Sequence, residues 1–241
     1  MVDPRTVIIA ERLKHVRRII AVSSGKGGVG KSTIATTLAL ALAEKGCKVG
    51  LFDLDFTSPS THLLLGVDET VQPTEDKGLI PPKVAGLTYM SLIYYSKDHA
   101  APLRGAETSN ALIELFAVTL WGDLDVLVLD MPPGIGDAVL DLIRLIPRVE
   151  FLVVTIPSQL AFETVKKLVG LLKELKVPVL GVVENMKMPQ ATSLKHQTEA
   201  LGAKFLGQIL FDAEVEDAIG NIDKLQCTSV AQKMRQLAQA I

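Results

Sequence analysis

Gly25-Lys26-Gly27-Gly28-Val29-Gly30-Lys31-Ser32-Thr33 is the stretch that decides the fold. Gly25 through Ser32 fit the phosphate-loop pattern G-x-x-x-x-G-K-[ST]: glycines let backbone N–H groups turn inward, Lys31 reaches the terminal phosphates and Ser32 ligates magnesium. Strand chemistry precedes the loop at Ile19, Ile20, Ala21 and Val22, and helical spacing follows at Ile34, Leu38 and Leu42, so the phosphates sit at a helix N-terminus. Lys26 is a second lysine that one subunit does not need for its own nucleotide. A cation at a tight, solvent-facing turn points to a charge delivered to a neighbour's nucleotide, and so to a homodimer bridged by it.

Outward from the loop, short apolar runs alternate with helical patterns to the C-terminus. That alternation predicts an α/β fold: a three-layer P-loop NTPase domain with a mainly parallel central sheet of about seven strands and helices on both faces. The strands are expected near 18–23, 48–53, 87–91, 125–130, 150–155, 179–184 and 204–208, and the helices over 33–45, 108–120, 138–145, 160–173 and 193–201. The segments 67–86 and 94–105 read as surface excursions. Val230, Met234, Leu237 and Ile241 recur at steps of four, three and four, an amphipathic helix expected to pack on the domain. The whole of 1–241 reads as a single domain.

Two strands end in aspartate, at the carboxyl edge where an open parallel sheet presents residues to a ligand. Val49-Gly50-Leu51-Phe52-Asp53-Leu54-Asp55 carries two carboxylates on one side if the strand continues. Asp55 is the candidate to orient the attacking water, and Asp53 to serve magnesium through a bound water. Val126-Leu127-Val128-Leu129-Asp130 is a Walker B pattern whose acid serves the metal, followed by Met131-Pro132-Pro133-Gly134-Ile135-Gly136-Asp137. Asp137 is either part of that segment or the N-cap of the helix behind it. Phosphoryl transfer needs chiefly positioning and charge neutralisation, which Lys26, Lys31, Ser32, Asp55, Asp130 and one magnesium supply without a covalent nucleophile.

Composition narrows the partners. With 25 basic and 27 acidic residues the net charge is −2, which leaves no positive field to recruit nucleic acid or an anionic membrane. Arg12, Lys14, Arg17 and Arg18 make one basic cluster, read as a solvated helix end. No apolar run reaches membrane-spanning length and no export signal opens the chain, so a cytoplasmic location is expected. Cys47 and Cys227 form no CxxC and are expected to be buried, while His15, His62, His99 and His196 fall at no metal-binding spacing.

With these residues in hand, the chain resembles the Mrp/MinD group of deviant Walker A ATPases over nearly its whole length. Ser24 through Thr33 match the family loop; Asp53-Leu54-Asp55 with Ser58-Pro59-Ser60 match its first switch, and Asp130 through Asp137 its second. The resemblance implies ATP and Mg2+ as cofactors, Lys26 touching phosphate across an ATP-bridged dimer, and adenine contacts at Asn185 in Val183-Glu184-Asn185-Met186 and near Asp212. Iron–sulfur cluster carriers of the Mrp branch have a CxxC shortly after the Glu-Asn-Met segment, whereas this chain continues Lys187-Met188-Pro189-Gln190-Ala191. The carrier reading, like that of a MinD-like positioning ATPase, therefore stands as the alternative. Pro102-Leu103-Arg104-Gly105, Ser109 through Leu115 and Gly220-Asn221-Ile222 are similar to the archaeal ATPase type of HypB. That likeness implies a switch in metallocentre assembly, aiding a small HypA-like nickel metallochaperone in [NiFe] hydrogenase maturation.

Overall fold

The computed structural model describes residues 4–68, 70–96 and 106–240. The chain opens with α1 (Arg5–Leu13) and β1 (Val16–Ser24), passes the phosphate loop into α2 (Lys31–Glu44), and continues through β2 (Val49–Asp53) and the short α3 (Thr61–Leu65). The polar excursion holds β3 (Thr74–Glu75), β4 (Leu79–Ile80) and β5 (Lys83–Val84), before β6 (Leu87–Ser91), α4 (Ile93–Ser96) and α5 (Ala106–Val118). Next come β7 (Leu124–Asp130), α6 (Asp137–Leu145), β8 (Glu150–Thr155), α7 (Gln159–Glu174), β9 (Val179–Lys187), α8 (Lys195–Ala200) and β10 (Phe205–Leu210). Three helices close the chain: α9 (Glu214–Asp217), α10 (Ile222–Cys227) and α11 (Ser229–Ala240).

The central sheet has eight strands in the order β10-β9-β8-β1-β7-β2-β6-β5, with β3 and β4 paired apart. The seven expected strands all fall in it and run parallel. The eighth, β5, is a two-residue strand that turns back antiparallel on β6. A strand of that length leaves no alternation to read in the sequence, and α1 was missed for a related reason. Its Val7 and Ile8 face outward, and only Ile9 and Leu13 among its apolar residues are buried.

Period-two alternation in β1 explains the three layers. Ile19 and Ala21 join Ile9, Phe116, Leu142 and Phe162 in a core beneath α1, α5, α6 and α7. Ile20 and Val22 join Ile34, Leu38, Met234 and Leu237 beneath α2 and α11 on the other face. Val230, Met234 and Leu237 are buried as the amphipathic pattern of α11 requires, at about 2 kcal/mol apiece. Arg235 fastens the helix at its polar side, with Nε 2.7 Å and Nη2 3.1 Å from the two carboxylate oxygens of Glu44. Ile241, His99 and residues 102–105 lie outside the described residues.

The basic cluster disperses into separate partnerships. Arg12 donates to the Ala117 carbonyl, Arg17 pairs with Asp125 at 2.9 Å, and Arg18 grips both oxygens of Glu150 at 2.9 Å. Trp121 packs against Phe52 with ring centroids 5.1 Å apart. The cysteines depart from expectation, since Cys47 is half-buried and Cys227 exposed. Among the described residues no helix is long and apolar enough to cross a membrane.

Candidate functional site

The carboxyl ends of β1, β2 and β7 meet at one place because their registers align: Val22 lies opposite Asp130, and Asp130 opposite Asp53. The phosphate loop leaves β1 there and enters α2 at Lys31. Its cap residue is Gly30, in the left-handed conformation at φ 79°, with no side chain to cap the first turn. The N–H groups at that end of α2, together with the helix dipole, are thus left for an anion. Ser24 Oγ donates to the Lys26 carbonyl at 2.9 Å, and Gly134 N to the Ser24 carbonyl at 2.8 Å, so the loop and the segment after β7 are tied together. Around them lies a cleft of about 440 Å³ lined by Lys26 through Thr33, Asp55, Thr57, Ser58, Ser60, Pro133 and Ile219.

Lys31 is 6% exposed, and its Nζ lies 2.6 Å from Asp130 Oδ1, 3.3 Å from Ser32 Oγ and 3.8 Å from Asp55 Oδ2. Asp130 is wholly buried, and its second oxygen, Oδ2, has no hydrogen-bond partner. Burial pushes the Asp130 carboxyl up to about 7, with Lys31 pulling it down and Asp53 pushing it further up. Ser32, Asp130 and Asp55 together form a set of hard oxygen donors beside the loop, the chemistry that magnesium takes.

Asp53 and Asp55 do different work. The strand does not continue past Asp53: Asp53 Oδ1 accepts from Asp55 N at 3.1 Å, an Asx turn that ends it. Asp53 Oδ2 accepts from Ser60 N, Thr61 N and Thr61 Oγ1 at 3.1, 3.1 and 2.7 Å. Its carboxylate therefore anchors the loop into α3, and Thr61 Oγ1 extends the network to Tyr89 OH at 2.9 Å. Asp53 Oδ1, with a single hydrogen bond, keeps a second lone pair. Asp55 Oδ1 accepts from Thr57 N, Thr57 Oγ1 and Ser58 N, while Oδ2 faces Lys31. Asp137 is not an N-cap: Gly136 holds that place and Asp137 sits in the first turn of α6, where a carboxylate favours the dipole.

Of the two residues expected near the base, one touches the phosphate loop and the other stands apart from it. Asn185, 2% exposed in β9, donates from Nδ2 to the Val29 carbonyl at 2.9 Å. Asp212 does not line the cleft; it accepts from Glu214 N at 3.0 Å and from Ser229 N at 2.8 Å, and the Ser229 N–H foremost holds its carboxyl below the usual range. Lys26 lines the cleft half-exposed, with no hydrogen bond or ion pair from its ammonium among the described residues. Sequence reasoning missed Thr164 of α7. A Cβ on Gly25 would lie 2.1 Å from its Oγ1 and 2.8 Å from its carbonyl carbon, so α7 leaves room for glycine alone. Thr61 was missed as well, although a Ser-Pro-Ser-Thr run behind an aspartate is rich in the donors that hold such a loop.

A family profile described as ParA, NUBPL iron-transfer P-loop NTPase, matches residues 15–241. The chain is 41% identical over 193 residues to the iron–sulfur cluster carrier protein of Pseudomonas fragi, covering 79% of this chain and 67% of that one. It is 45% identical over 193 residues to the protein of the same name in Escherichia coli, covering 79% and 52%. It thus spans about half to two thirds of the length of these relatives. Among solved structures, the nucleotide-binding protein of Archaeoglobus fulgidus in complex with ADP superposes with a TM-score of 0.77 at 28% identity, covering 92% of this chain and 93% of that one. MinD of Pyrococcus horikoshii gives 0.70 at 22% identity, covering 93% and 96%, a likeness of fold.

These relatives overturn the expectation of a hydrogenase-maturation switch with a HypA-like nickel partner. They carry the name iron–sulfur cluster carrier protein, as do the relatives in Salmonella typhimurium and Aquifex aeolicus, and not that of a HypB or a hydrogenase maturation factor. The missing CxxC is a difference of two residues and the HypB-like motifs are short, so neither outweighs an alignment of 193 residues. The chain belongs to the NUBPL iron-transfer group of the ParA family of P-loop NTPases.

Proposed function

We propose that this chain is a magnesium-dependent ATPase that works as an ATP-bridged homodimer in the transfer of iron–sulfur clusters to other proteins. The observation that carries the nucleotide half is Lys26. It lines the phosphate cleft beside Lys31 yet has no partner in its own chain among the described residues. A cation so placed neutralises phosphate charge on a second copy facing the cleft, charge that Lys31 alone does not balance.

In this reading Lys31 and the N–H groups of residues 27–33 hold the phosphates. Ser32 and Asp130 hold magnesium, which supplies charge neutralisation at the transferred phosphoryl group. The unpartnered Asp130 Oδ2 and the hydroxyl of Ser32 fit that role. Asp55, beside Lys31, orients the attacking water. Asp53 ties the first switch to the sheet, so a change at Asp55 is felt in α3. Asn185 and Asp212 border the base.

The cluster half is supported by the relatives' shared name and their 41% and 45% identity. The cluster is cargo here. No group of three or more His, Cys, Asp or Glu side chains placed to hold a metal ion by themselves occurs among the described residues, and the thiols are one half-buried and one exposed cysteine. We therefore assign the chain the nucleotide-gated step of transfer, with cluster ligands shared with donor and acceptor proteins in the cytoplasm. The test is anaerobic: a cluster-loaded donor, an apo iron–sulfur acceptor, and the chain with Mg2+ and ATP. Acceleration of acceptor maturation that Lys31→Ala abolishes is expected. Equal maturation rates with and without the chain would sink the cluster half, and absence of ATP hydrolysis would sink the nucleotide half.

A further inference from the structure

We infer that Asn185 is a positioning residue for the phosphate loop, acting through the Val29 carbonyl, whatever it contributes to base recognition. This rests on the reading of the cleft as a phosphate site.

Three features of β9 point to it. Asn185 is buried and its Nδ2 donates to the Val29 carbonyl at 2.9 Å, a bond between residues 156 positions apart. The loop is shaped to receive that amide: a Cβ on Gly30 would lie 2.3 Å from Asn185 Nδ2 and 3.2 Å from Met186 Cε. Met186 takes φ 54°, a left-handed conformation uncommon for a side chain of its size. Strain of this kind persists where surrounding contacts impose it, and here the two residues before Met186 are fixed. Glu184, fully buried, accepts from Ser193 Oγ and from Leu194 N, each at 3.0 Å, while Asn185 is committed to Val29. The strand is thus pinned on one side to the 188–194 loop and on the other to the phosphate loop.

The planarity of the peptide gives this bond its consequence. In a trans peptide the C=O and N–H of one unit point in opposite directions. Holding the Val29 carbonyl toward Asn185 therefore turns the Gly30 N–H away from β9, leaving it free for an anion. Val29 cannot drift, because its side chain is itself buried at 2% exposure. Without the amide at position 185, the Val29–Gly30 peptide loses its outside restraint, and Gly30, with no Cβ, has the freedom to rotate it.

A base contact and a loop brace are told apart with a ligand that has no base. Binding of Mg2+-tripolyphosphate and of Mg2+-ADP to the full chain is measured by calorimetry for the parent, Asn185→Ala and Asn185→Asp. The brace predicts that tripolyphosphate binds about tenfold more weakly to Asn185→Ala, the effect of one buried hydrogen bond. It binds more weakly still to Asn185→Asp, whose carboxylate faces the Val29 carbonyl. Unchanged tripolyphosphate affinity with weakened ADP would assign Asn185 to the base alone and overturn the inference. Should the variants fail to fold, hydrogen exchange at the Asn185 side-chain amide of the parent decides: protection supports the brace, and free exchange overturns it. A parent that binds neither ligand would remove the phosphate site, and this inference with it.

Discussion

Lys31 Nζ lies 2.6 Å from Asp130 Oδ1, and both residues are buried, so the lysine expected to reach for phosphate is held by the Walker B carboxylate. A buried ion pair is a poor source of stability, since desolvation offsets most of its attraction, but breaking one from a single side is costly. Asp55 at 3.8 Å is the secondary partner that Lys31 retains if Asp130 is removed.

The state of this pair makes stability depend on pH. Burial lifts the Asp130 carboxyl to about 7, while in the unfolded chain an aspartate titrates near about 4. Between those values the folded chain keeps a proton that the unfolded chain has lost. The stability contributed by this group is therefore complete below about pH 4 and is lost as the pH rises through about 7. Urea unfolding of the nucleotide-free chain is expected to give a stability that falls toward neutrality, by at most about 1.4 kcal/mol per pH unit from this group. Asp130→Asn should flatten the slope, leaving the part due to Asp53, whose carboxyl burial also raises. A variant as steep as the parent would place the titration elsewhere.

Lys26 has no partner among the described residues, so its removal costs the isolated chain little. Lys26→Ala is expected to bind ADP within about threefold of the parent, because Lys31 and the loop amides remain. The same variant should stay monomeric in sedimentation with Mg2+ and a non-hydrolysable ATP analogue, conditions in which the parent is expected to dimerise. An undiminished dimer in the variant would end the trans role of this lysine.

The sheet was legible where chemistry and period coincide. An apolar run that ends in Asp130, or one that runs into Gly25, announces both a strand and its carboxyl end, and all seven such strands are in the sheet. The two-residue β5 has no period to announce. At the site, residue types fixed the phosphate loop and brought Lys31, Ser32 and Asp55 to one cleft with Asp130 buried behind Lys31, because spacing to Gly30 and to strand ends determines where they emerge. The bonds of Asp53 to Ser60 and Thr61, and of Asn185 to Val29, join loops across an Asx turn or 156 residues of chain, where sequence spacing carries no geometry. The function was misread for a different reason. Two missing cysteines are conspicuous in a sequence, and their absence was given more weight than the similarity of everything around them.

Gly25 meets α7 closely enough for one methyl group to matter. Gly25→Ala sets a carbon 2.1 Å from Thr164 Oγ1 and 2.8 Å from its carbonyl carbon, contacts that force backbone movement. An overpacking cost of about 1–3 kcal/mol is expected in urea unfolding. Thr164→Ala in that background should recover only part of it, because the backbone contact remains. Full recovery would show that the hydroxyl alone sets the limit.

Asp53 and Asp55, two residues apart, should separate stability from turnover. Asp53 accepts four hydrogen bonds, three of them from the start of α3, and Asp53→Ala leaves the Ser60 and Thr61 N–H groups without an acceptor, while Thr61 Oγ1 keeps Tyr89 OH. Burying such groups unpaired costs about 1–3 kcal/mol each, with relaxation recovering some of it. A fall of about 3 kcal/mol in unfolding free energy is therefore expected. Asp55 is held only by Thr57 and Ser58 and faces Lys31 across the cleft, so Asp55→Asn keeps the fold and the contacts of Oδ1. Its expected loss lies in kcat for ATP hydrolysis, by about 100-fold, a typical share for a group that handles a proton at the reacting atoms. ADP affinity should stay within about threefold, since Lys31 loses only its more distant partner. If Asp55→Asn instead destabilised the chain as strongly as Asp53→Ala while leaving kcat intact, the water-orienting role would belong to another residue and Asp55 would be a second anchor of the switch.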